Sequence, residues 1–121
     1  MNRAKQQMQV KLFQSSNHIW QVKPSSIAAR VENNLFVRPT RRNGRGGYVT
    51  IEEHRQLRLD ITSELLGRET PLTSYYDLSP DECRALAMFL ADMPLDIIDE
   101  VWQEYSDRAF KMIDYKLKAY A

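Results

Sequence analysis

The stretch from Leu95 to Tyr120 limits the possible folds more than any other part of this chain. Its apolar residues Leu95, Ile98, Trp102, Tyr105, Ala109 and Met112 recur at alternating spacings of three and four, a heptad-like seam. A second row, Ile97, Val101, Phe110, Ile113, Leu117 and Tyr120, widens the apolar face beyond what a single partner helix covers. The pattern predicts one long helix packed on two sides. Its opposite edge carries Asp96, Glu100 and Glu104 four residues apart, with Glu104 to Arg108, Asp107 to Lys111 and Asp114 to Lys118 at i,i+4 spacing. That edge reads as a solvated face. The seam itself either holds the body together or pairs two copies, so its six residues are the candidate protein interface.

Two shorter helices are predicted upstream. Ser79-Pro80-Asp81-Glu82 has the form of a capping box with proline at the first helical position, and Cys83, Leu86, Ala87 and Leu90 follow as a core-facing stripe until Met93-Pro94. Thr50-Ile51-Glu52-Glu53 is a second such box and predicts a helix from about Ile51. Leu57, Ile61 and Leu65 would share one face of it, and Gly67 suits the left-handed position after a helix end.

The N-terminal third is ambiguous. Met8, Val10 and Leu12, then Ile19, Trp20 and Val22, alternate loosely around Ser15-Ser16-Asn17, which fits a hairpin; Arg3 to Phe13 fits a helix nearly as well, because Lys, Gln, Ala and Met are strong helix formers. After Pro24 a short helix through Ile27, Ala28, Ala29 and Val31 is expected to end at Asn33-Asn34, capped by Ser25 or Ser26, with a short strand at Leu35 to Val37. The segment Arg38 to Gly47 holds three of the four glycines, four arginines and no apolar side chain, so it must be an exposed loop. Asn43-Gly44 within it could form the tip of a basic hairpin or wing. The expected fold is mainly α (α+β) in a single domain spanning 1–121. An acidic three-helix bundle-like body occupies 48–121, and 1–47 forms a small basic β-hairpin or arm.

Net charge is +1, but it divides unevenly: residues 1–46 sum to +8 and the remaining 75 to −7. Such asymmetry points either to a basic arm that faces nucleic acid or to two parts that attract each other, within one fold or between protomers. With one cysteine, Cys83, no internal disulfide is available, and no apolar run approaches the roughly 20 residues needed to cross a bilayer. The opening residues lack the apolar core of a secretion signal, so a cytoplasmic location is expected, that of the host if the chain is phage-encoded.

Nothing in the residue pattern calls for catalysis, a metal or a cofactor. His18 and His54 with a lone cysteine give no zinc spacing, and the stripe assigns Cys83 to core packing rather than to a nucleophile pair with His54. Asp92, Asp96, Asp99 and Glu100 read as surface acids, and Asn-Gly-Arg-Gly-Gly lacks the lysine and Ser/Thr of a phosphate-binding loop. The arginines remain. Arg38, Arg41, Arg42 and Arg45 lie within eight residues, a plausible foot for bidentate contacts with phosphates, with Lys23 and Arg30 as further candidate nucleic-acid contacts. Phe36, Tyr48 and Trp20 could stack on unpaired bases.

Ile51-Glu-Glu-His-Arg-Gln-Leu, the turn Leu66-Gly67-Arg68-Glu69-Thr70 and the cap Asp77-Leu78-Ser79-Pro80-Asp81-Glu82 together resemble the Mu-type GemA regulatory family of phages. The resemblance spans residues 51–92 and leaves the basic third uncovered. It implies a phage or prophage origin and a regulatory or DNA-metabolism role, with no catalytic residues carried over. The sequence-based expectation is a phage- or mobile-element-type regulator that binds nucleic acid through its arginine loop. The alternative is a non-enzymatic modulator of a host protein that uses its acidic helical surface, and either could act as a homodimer.

Overall fold

A computed structural model of the chain describes residues 1–16, 20–37 and 54–120, with side chains to Met112. Five α-helices run in order among these residues: α1 (Asn2–Ser15), α2 (Pro24–Val31), α3 (Arg55–Leu66), α4 (Pro80–Asp92) and α5 (Leu95–Tyr120). A π-helical turn, Glu32–Val37, extends α2, and a 3-10 turn, Tyr75–Asp77, precedes α4. The chain is mainly helical, with no strand among the described residues.

The expected N-terminal hairpin is therefore corrected. Residues 2–15 form α1, whose Ala4, Met8 and Ser15 are fully buried on one side while Met1 and Leu12 pack half-buried against the core. Alternation of apolar residues had fitted strand and helix alike, and burial at i and i+4 decides for the helix. The strand expected at Leu35 to Val37 is corrected as well. The π-helical turn instead sends both Leu35 and Phe36, adjacent in sequence, fully into the core. Ser25 and Ser26 do not cap α2, because Pro24 already occupies its first turn and Lys23 is the N-cap.

Later helix ends follow the local signals. The Ser79 hydroxyl accepts from the Glu82 amide at 3.1 Å while the Glu82 carboxylate accepts from the Ser79 amide at 2.9 Å, closing the box at the start of α4. At the end of α3, Gly67 adopts φ +72° and the Arg68 amide reaches back to the Ser63 carbonyl at 3.0 Å. Gln9 of α1 donates to the Leu66 carbonyl at 3.2 Å, so a neighbouring helix also helps satisfy this terminus. The Ser63 hydroxyl holds the Leu72 amide at 2.8 Å and Gln56 holds the Leu72 carbonyl at 3.1 Å, fixing the return of the chain over α3.

Packing departs from the expected three-helix body. α1 packs chiefly against α4 and also touches α3 and α5, whereas the main contacts of α4 are with α1 and α2. The N-terminal helix thus lies among the C-terminal ones rather than beside them as an arm. One hydrophobic cluster runs from Ala4 and Met8 through Ile27, Leu59, Leu86 and Phe89 to Trp102, Tyr105 and Ala109. None of the described helices is long and apolar enough to cross a membrane.

Candidate functional site

The seam of α5 is occupied by the chain's own core. Ile98, Trp102, Tyr105 and Ala109 are buried, Met112 is half-buried and Leu95 stands exposed at the start of the helix. The interface assignment is corrected for the four buried residues, because a side chain already enclosed by its own fold presents no surface to a partner. The acidic edge is not simply solvated either. Arg3 of α1 pairs with Glu100 and, at 3.1 Å, with Asp96; Lys11 reaches Asp92 at 2.7 Å; Arg108 bridges Glu104 and Glu64, each at 2.7 Å. Part of the charge asymmetry is thus spent within the fold, bases of the N-terminal third meeting acids of the C-terminal part.

A buried polar cluster forms where four elements meet. Arg58 of α3 lies almost enclosed, its Nε 2.7 Å from Oε2 of Glu32 on the π-helical turn, and its Nη1 donates to the Tyr105 hydroxyl of α5 at 3.3 Å. The Tyr75 hydroxyl, from the 3-10 turn, completes the set by donating to Oε1 of Glu32 at 3.4 Å. Burial pushes the Glu32 carboxyl above its ordinary value against the pull of Arg58. Burial likewise raises the Tyr75 phenol, with the charge of Glu32 adding to it, and raises that of Tyr105 against the opposing hydrogen bond from Arg58. No group of three His, Cys, Asp or Glu suited to a metal occurs among the described residues.

Aromatic contacts extend the cluster to both ends of residues 38–53. Phe36, near the end of the π-helical turn, meets the Tyr105 ring edge-on at a centroid distance of 4.8 Å. His54, where the described chain resumes, meets the same ring at 6.3 Å and is buried. The chain therefore leaves and returns beside one tyrosine. Arg38, Arg41, Arg42 and Arg45, the Asn43-Gly44 turn, Tyr48 and the Thr50 to Glu53 box lie outside the described residues, as does His18. Of the other candidate nucleic-acid contacts, Lys23 and Arg30 stand exposed at opposite ends of α2, with Arg30 Nη2 3.5 Å from the Ala87 carbonyl.

A second arginine was not anticipated from sequence. Arg84 of α4 is about nine-tenths buried and donates to the Ser15 carbonyl at the end of α1 and the Trp20 carbonyl, each at 3.3 Å, while pairing with Asp81. It ties the end of α1 and the main chain at Trp20 to the start of α4. Beside it opens a cleft of about 310 Å³ that Cys83 also lines. Burial raises the Cys83 thiol and the neighbouring Glu82 adds to the effect, which suits a packed thiol rather than a nucleophile. His54 belongs to the separate Tyr105 cluster. Comparison with protein-family models, with curated proteins and with solved structures returns no match.

Proposed function

We propose that this chain is a nucleic-acid-binding regulator of the phage or mobile-element type, acting by binding rather than catalysis, whose phosphate contacts come from Arg38, Arg41, Arg42 and Arg45. The observation that carries the reading is the placement of the flanks: a segment with four arginines and no acid among residues 38–45 is bounded on both sides by residues packed on Tyr105. A basic segment tethered at one point of a folded body can offer guanidinium groups to a phosphate backbone without each arginine needing its own scaffold. Pairing of the acids gives further support. Asp96, Glu100 and Glu104, the residues that an acidic docking face would rely on, are each engaged by an arginine of the same chain. That weakens the alternative of a polyanion-like surface for a host protein.

The test is fluorescence anisotropy with labelled single- and double-stranded oligonucleotides at two salt concentrations. Binding should weaken with salt, with a log–log slope near −3 to −4 if about four phosphates of a duplex are neutralised. Replacing Arg41, Arg42 and Arg45 together by alanine should reduce affinity and flatten the slope while the circular dichroism and melting curve stay unchanged. Wild-type affinity in that variant, or no binding at low salt, would discard the assignment.

A further inference from the structure

We propose that the cleft between residues 21–24 and the start of α4 binds a carboxylate carried on an apolar body. Its walls are Val22, Pro24, Leu78 and Pro80, and its cationic groups are Lys23 and Arg84. At about 310 Å³ the cleft stands at the lower end of the volumes that enclose a small ligand, where roughly 300 Å³ is typical. Apolar walls with a few polar groups placed among them are the usual make-up of such sites.

Charge selects the ligand's polar end. Asp81, which pairs with Arg84, is the acid held at the cleft; Glu82 on the next residue is engaged by Arg68 at 2.5 Å. One carboxylate against Lys23 and Arg84 leaves the cleft with a single excess positive charge. Lys23 makes no ion pair among the described residues. Arg84 cannot swing away to find an anion elsewhere, because two main-chain carbonyls fix it. A guanidinium held in this way is preorganised, and its planar fork has five N–H donors, more than the three bonds described use. Arginine is among the residue types that concentrate at recognition surfaces, and Arg84 lines this cleft.

The carboxylate can come from a free organic acid or from a partner chain's C-terminus, and one experiment distinguishes them. The intact protein, labelled with nitrogen-15, is titrated with N-acetylleucine, with N-acetylleucinamide and with an acetylated pentapeptide ending in a free leucine carboxylate. Amide signals of residues 21–23 and 81–84 should shift with the acid, and the amide should bind about 10-fold more weakly, the loss of one charge-assisted contact. Lys23→Gln, a surface change outside the core, should weaken the acid by several-fold and leave the amide unaffected. Pentapeptide binding 10-fold or more tighter than N-acetylleucine identifies a partner chain as the source, and equal affinities identify a small acid. Equal affinity for acid and amide, an unaltered affinity in Lys23→Gln, or the absence of shifts at these residues overturns the proposal.

Discussion

The ring of Phe36 meets that of Tyr105 edge-on, 4.8 Å between centroids and 63° between planes. Both rings are fully buried, and the Tyr105 hydroxyl also receives the Arg58 guanidinium, so one residue joins an aromatic contact to the polar cluster. Edge-to-face packing of this kind adds about 0.5–1.5 kcal/mol to the burial of the two rings.

Tyr105 should therefore respond to two substitutions in different ways. Tyr105→Phe keeps the rings in place but removes a partner of Arg58, and should cost about 1–3 kcal/mol as an unmet buried donor. Tyr105→Ala also opens a cavity and should cost about 3–5 kcal/mol. Urea unfolding measures both, and equal losses would show that the hydroxyl, not the ring, dominates.

Glu32 gives a pH dependence whose sign follows from burial. Its carboxyl titrates above its ordinary value, so the folded chain holds the proton more tightly than the unfolded one. The stability this contributes is full below the unfolded value of about 4.3 and is lost as pH rises through the folded value. Wild-type protein should lose stability relative to Glu32→Gln as pH rises from about 4 through the raised folded-state value. Denaturant midpoints of the two proteins at several pH values check this, and a difference that stays constant or grows with pH would contradict it.

Gly67 is held at φ +72°, and a Cβ there would come within 2.9 Å of the Gln9 amide nitrogen that caps Leu66. Gly67→Ala adds left-handed strain of about 1–2 kcal/mol and displaces that cap. A lowered melting temperature is expected. Gln9→Ala in the same background should cost less than in the wild type, since the cap is already disturbed.

Because α4 packs chiefly on α1, residues 48–121 alone should not reproduce the fold. A peptide of that span should show reduced helicity and no cooperative melting, and adding a peptide of residues 1–37 should restore both. Cooperative unfolding of the isolated span would mean that its three helices suffice.

Local signals in the sequence determined where several helices end. The Ser79–Glu82 box, Gly67 and Met93-Pro94 each act through hydrogen bonds or backbone angles within a few residues, so neighbours in sequence were enough to read them. The long helix was legible for the same reason: Ile98, Trp102, Tyr105 and Ala109 repeat the period of the helix that buries them. Which partner covers that face was decided only by the tertiary structure. So was the choice of helix for residues 2–15, whose pattern fitted two periods until burial of Ala4 and Met8 selected one. Arg58 and Arg84 look like surface residues in sequence, since burial of a charge depends on acids and carbonyls brought from Glu32, Ser15 and Trp20, far along the chain. Arg3, Asp96 and Glu100 read as separate solvated charges for the same reason. Composition records how many charges a chain carries, and only the packing of distant segments decides which of them neutralise one another.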